Sequence, residues 1–69
     1  MKKKEYIEEF ALKVKSLREQ QGLSQEKLAE KAGLHRTYIG MVERMERNPS
    51  LVCIRKIAEG LKINVRELF

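Results

Sequence analysis

Glycine and proline are scarce in this chain, and where they stand leaves room for little but short helices. Gly22, Gly33, Gly60 and Pro49 read as punctuation, and only Gly40 falls inside a patterned segment. No stretch alternates as a strand would, and the β-branched residues recur at helical spacing. Ile7, Phe10, Val14 and Leu17 mark one face of an amphipathic helix from about Lys4 to Gln21, ending at Gly22. Ser24 is placed to cap a second helix, with Leu28, Ala29 and Ala32 inward, before Gly33 stops it after barely two turns. A third helix opens near Arg36, with Ile39 and Val42 inward and Leu34 packing just before it. "ERNPS" (46–50) is a turn, because Pro49 cannot continue a helix and Ser50 can cap the next. Leu51, Ile54, Ile57, Ala58 and Leu61 then form a buried stripe. "NVRE" (64–67) has the pattern of a capping box, with Val65, Leu68 and Phe69 supplying apolar surface on a last short helix. The expectation is an all-α fold of five helices, one domain over 1–69.

Sixty-nine residues support one modest core, so a chain of this size needs cross-links, a metal, tight helix packing or a partner subunit. A single cysteine, Cys53, cannot close an internal disulfide, and one cysteine with one histidine falls short of the roughly four ligands of a zinc site. Helix packing and self-association remain. The free thiol fits a reducing, cytoplasmic setting. No apolar run approaches a membrane span, and no apolar signal core follows the basic Lys2–Lys4. Net charge is +5, which favours an anionic partner such as nucleic acid. No second acid or base accompanies Cys53 or His35 at a motif spacing, so neither catalysis nor a cofactor is expected.

"GLHRTYIGMVER" (33–44) gathers the only histidine, two arginines, a threonine and a tyrosine around the start of the third helix. With "KAGLH" joining two short helices, this is the spacing of a helix-turn-helix over about 24–44. Ala29 lets the third helix cross close over the second. The apolar residues lock the pair, and the polar ones at the start of the third helix project outward. A helix so presented can enter the major groove, roughly 12 Å wide. A plain helical hairpin with a solvated face is the competing reading of the same pattern.

"GLSQEKLAEKAGLHRTYIGMVERMERNPSL" (22–51) resembles the helix-turn-helix of the phage-repressor (lambda-repressor-like) and Cro-like regulators, and "LKINVRELF" (61–69) is similar to the end of that domain. "RTYI" (36–39) is similar, within the family, to controller proteins of restriction–modification systems, which are small homodimeric regulators. The resemblance implies double-stranded DNA as partner and a homodimer on a two-fold symmetric operator. It places Arg36, Thr37 and Met41 at base edges. Gln25, His35, Tyr38, Arg44, Arg47 and Asn48 lie where the phosphate backbone should pass. Arg18 and Glu43 are expected to pair as a structural salt bridge. The surplus apolar residues Val52, Ile63, Val65 and Phe69 are the expected dimer surface, centred on 61–69, unless Ile63 and Phe69 simply complete the core. Glu26, Glu30 and Lys31 could meet RNA polymerase, with solvated surface the default. Two positions depart from the family pattern. Met45 stands where members often have glycine, which suggests a third helix that ends differently or runs on. His35 stands where many have serine or aspartate, and is expected to be a poorer cap. A phage-type repressor, an antitoxin and a protein-interaction module are the rival readings.

Overall fold

The computed structural model describes residues 3–69, with side chains from Glu5 onward, so the Lys2–Lys4 run falls outside the described side chains. Four α-helices follow one another: α1 (Lys3–Gln20), α2 (Gln25–Ala32), α3 (Arg36–Glu43) and α4 (Leu51–Leu61). A single 3₁₀ turn, Val65–Leu68, takes the place of the expected fifth helix. Among the described residues there is no strand. The count of five fails because Val65–Leu68 closes with the tighter i→i+3 bonding of a 3₁₀ turn rather than as an α-helix. Asn64 accepts from Arg66 N–H at 3.0 Å, and Glu67 reaches back to Asn64 N–H at 2.9 Å, so the capping box is made as expected.

Two of the helices have only eight residues, too few to persist alone in water. Packing holds them. Phe10 and Val14 of α1, Leu28 and Ala29 of α2, Ile39 and Val42 of α3, and Ile57, Ala58 and Leu61 of α4 meet in one core closed by Leu68. The expected stripe of α4 is shortened by one residue. Leu51 is 72% exposed, because it opens the helix beyond the edge of the core, while Ile54 is half-buried. Gly60, read as a stop, lies inside α4 and is buried. A Cβ there would sit 3.0 Å from the backbone nitrogen of Ala32, so this glycine sets how closely α4 lies on α2.

All four α-helices end alike, with a left-handed residue and the amide after it bonded back five positions. The left-handed residues are Gly22, Gly33, Met45 and Lys62. Leu23, Leu34, Glu46 and Ile63 donate to the carbonyls of Arg18, Ala29, Met41 and Ala58. Met45 (φ 63) therefore does what a glycine would do, and α3 neither runs on nor ends differently. The sequence expectation at Met45 is corrected: packing of α3 against α2 outweighs the local strain.

Met45→Gly should raise stability by about 0.5–1 kcal/mol, as relief of the left-handed strain exceeds the added freedom of the unfolded chain. Gly60→Ala should act in the opposite sense by about 1–3 kcal/mol, although alanine is the better helix former, because backbone cannot yield to the new methyl. Urea unfolding of both variants reads the two signs.

Candidate nucleic-acid interface

The start of α3 is fixed by three local devices. Gly33 (φ 70) turns the chain out of α2. Leu34 donates back to Ala29 at 2.9 Å. His35 then caps α3, its Nδ1 accepting from Thr37 N–H at 3.1 Å. The expectation of a poorer cap at His35 meets a ring that does reach the amide, because its extended backbone (φ −83, ψ 143) turns Nδ1 over the helix end. A neutral imidazole that accepts at Nδ1 carries its proton at Nε2, so its outer edge is a donor.

From that start Arg36 and Thr37 are exposed, and Met41, one turn beyond Thr37, is half-buried. Arg44 lies on the same side, seven residues after Thr37. Gly40 stands between them and is covered by two flexible side chains: a Cβ there would come within 3.0 Å of Arg44 Nη1 and 3.4 Å of Gln25 Oε1. This face is the outer surface of the helix-turn-helix. The inner surface carries Ile39 and Val42. Tyr38 is half-buried against the core. Burial, then the neighbouring Cys53 thiol, push its hydroxyl up to about 12, so Tyr38 stays a protonated donor throughout the physiological range. Arg47 lies over the Tyr38 ring at 5.7 Å, which brings the turn after α3 back beside the helix. Asn48 is exposed in the same turn.

Three carboxylates pair with arginines on and behind this face. Glu26 of α2 lies 3.8 Å from Arg36, and Glu46 takes Arg44 through two bonds of 3.1 and 3.2 Å. Both pairs are exposed and exchangeable. The third differs. Arg18 Nε donates to Glu43 Oε2 at 2.7 Å and Nη2 to Oε1 at 3.1 Å, with side chains only 11% and 4% exposed. Arg18 also donates to Leu23 O at 2.8 Å, so the guanidinium ties the end of α3 to α1 and to the turn before α2. The hydrogen bond to Glu43 leads the effects that raise Arg18 above its ordinary value. The expected salt bridge is present. Sequence reading did not find its third member: Gln25 Nε2 donates to Glu43 Oε1 at 3.0 Å.

The proposed dimer residues divide in two. Ile63 and Val65 are half-buried and pack on the core. Val52 and Phe69 are 62% and 71% exposed, and the Phe69 ring stacks on Phe10 with centroids 5.6 Å apart. Leu51, missed as a surface residue, stands exposed beside Val52. Among the described residues no group of acids, histidines and cysteines could hold a metal. No described helix is long and apolar enough to cross a membrane.

An eight-residue helix capped at its N-terminus and packed across a second capped helix is a helix-turn-helix. A model of the helix-turn-helix family matches residues 14–68. The chain belongs to this helix-turn-helix family. It is 51% identical over 59 residues to control protein C.SmaI of Serratia marcescens, spanning 86% of this chain and 70% of that one. It is 45% identical over 60 residues to control protein C.BamHI of Bacillus amyloliquefaciens, 86% and 74% of the two chains. Its fold is similar to the crystal structure of the restriction–modification controller protein C.AhdI from Aeromonas hydrophila, with a TM-score of 0.89, 51% identity, and 91% and 96% coverage. These relatives are regulators by name and not enzymes.

The buried bridge yields a stability test. Arg18→Met leaves Glu43 buried with one weak partner and should cost about 3–5 kcal/mol in urea unfolding. Arg18→Met combined with Glu43→Leu, which removes both charges, should recover most of that loss.

Proposed function

We propose that the chain is a sequence-specific, double-stranded DNA-binding regulator, a controller protein of a restriction–modification system acting on its own operon and the endonuclease gene. The observation that carries this reading is the outer face of α3. Arg36, Thr37 and Met41 lie along it, next to the N-terminus of α2, whose amides and Gln25 suit a phosphate. Controller proteins are what the named relatives share. A helix of this length reads only a few base pairs, so two copies on a two-fold symmetric operator are needed, with half-sites roughly 34 Å apart. Arg36 reads guanine through two acceptors, and Thr37 and Met41 meet bases further along. Gln25, His35, Tyr38, Arg44, Arg47 and Asn48 hold the backbone. Val52 and Phe69, which no core packing requires to be so exposed, form the centre of the dimer surface, with Ile63 and Val65 at its edge.

Selection of duplexes from a random pool, followed by a footprint on the DNA flanking the gene, tests the reading directly. On the selected duplex Arg36→Ala should cost about 1–3 kcal/mol and relax preference at one position per half-site. Arg47→Ala should weaken cognate and scrambled duplexes alike and flatten the salt dependence by about one unit for each phosphate the arginine neutralises. An Arg36→Ala variant that loses the same factor on both duplexes would move base reading to Thr37 and Met41.

Dimerisation is tested at Val52, which can change without touching the core. Val52→Asp should leave the stability of dilute protein within about 0.5 kcal/mol of wild type by urea unfolding. It should convert the sedimenting species to a monomer and weaken operator binding. A wild-type chain that sediments as a monomer at tens of micromolar, with and without the duplex, would end the dimer reading.

A further inference from the structure

We propose that Glu43 is a positioning residue for DNA binding, holding the Gln25 carboxamide in the orientation that grips a backbone phosphate. The inference rests on the DNA-binding reading above and assigns a second task to a carboxylate whose evident task is to pair with Arg18.

An ionised carboxylate can only accept hydrogen bonds. A glutamine facing it must turn its NH₂ inward. Gln25 does so, with Nε2 at 3.0 Å from Glu43 Oε1. One N–H is used, and the other is left for a second acceptor. Its Oε1 is turned to the Gly40 side, where the missing side chain leaves room.

Place in the fold supports the assignment. Gln25 is the first residue of α2, directly after the Ser24 cap. Ser24 Oγ takes Lys27 N–H at 3.0 Å, and Ser24 O takes Leu28 N–H. The first two amides of α2, at Gln25 and Glu26, precede these bonds and stand at the positive end of the helix dipole. The free carboxamide N–H joins that group. A lone anion so close would repel phosphate. Glu43 does not act as one, because Arg18 meets both of its oxygens.

The benefit is preorganisation. A free glutamine loses side-chain freedom when it takes hold of a phosphate, and a side chain already tethered loses less. Glu43 is itself fixed by two bonds from Arg18 and is almost fully buried, so the tether is rigid. The bridge thus links α1, the end of α3 and the phosphate end of α2 through one carboxylate.

The test is a double-mutant cycle on the selected duplex: wild type, Gln25→Ala, Glu43→Gln and the double variant, at one salt concentration and at a temperature where all four are folded by circular dichroism. Gln25→Ala should lose about tenfold in affinity in the wild-type background and less than about twofold with Glu43→Gln. A purely structural Glu43 would leave the Gln25→Ala factor the same in both. The Gln25 side-chain NH₂ resonances give a second readout in free protein. They should be well separated and shifted in wild type and move to ordinary glutamine positions in the Glu43 variant. Should Glu43→Gln not fold, Glu43→Asp keeps the charge near Arg18 but withdraws the oxygens by one methylene, and it should reduce the Gln25→Ala factor in the same way. Equal tenfold losses in both backgrounds overturn the positioning role while leaving Gln25 on phosphate. No loss on Gln25→Ala in either background removes Gln25 from the DNA surface altogether.

Discussion

An eight-residue helix has no independent existence in water, and the candidate reading helix α3 is one. Its shape is borrowed from the core. Ile39 and Val42 are enclosed in the shared core, where α3 packs against α2 and α1. α2 has the same length and the same dependence. The pair survives because α4 can lie almost on the backbone of α2, which the bare Cα of Gly60 opposite Ala32 allows. A side chain at that one position would lift α4 from α2 and loosen the floor beneath α3. The outward comb of Arg36, Thr37 and Met41 is rigid only as far as this crossing is tight.

Local chemistry makes much of this legible in the sequence. Ser24, Ser50 and the Asn64–Glu67 box cap the elements they are expected to cap, because a cap is decided by three or four neighbouring residues. The helix-turn-helix, its inward residues and the Arg18–Glu43 pair follow from spacing and resemblance. What escapes depends on distant partners. Leu51 continues the period of α4 but overhangs the core. Gly60 resembles a stop, and only the position of Ala32 shows that it is a close approach between helices. Met45 and Lys62 bear left-handed backbone that intrinsic preference assigns to glycine, because the four helix ends are set by where the chain must go next. The Gln25–Glu43 bond joins residues 18 apart and is invisible in the sequence for the same reason. What the fold adds to the proposed DNA-facing residues is their placement along α3, in the turn after it and at the N-terminus of α2.

Electrostatics explain why a net charge of +5 is only a beginning. The arginines of the outer face are not bare. Glu26 attends Arg36 and Glu46 attends Arg44, both exposed to solvent. Such pairs are weak and screened, so phosphates or a guanine can replace the carboxylates at little cost. Their presence lowers attraction to any polyanion at random, which favours a surface that must be selective. On the proposed DNA-binding reading, long-range charge serves mainly to raise encounter rates, and the neutral groups near the α2 terminus set register.

Those neutral groups connect reading to folding. A cation gains from phosphate wherever it is placed roughly right, whereas a carboxamide gains only in the correct orientation. The chain meets that demand with the least mobile charges it has. Arg18 and Glu43 are enclosed, doubly bonded to each other and anchored to Leu23 O, so the one acceptor that orients Gln25 cannot drift. Arg44 folds over Gly40 from the other side, where a glycine costs helix stability of about 0.5–1 kcal/mol but leaves space for the amide oxygen. A buried ion pair is seldom the most stabilising way to fill a small core. Here it occupies the one place where a fixed negative charge, already neutralised, can hold a polar side chain at the mouth of α2, and that is a reason for the fold to keep charge where hydrocarbon would pack as well.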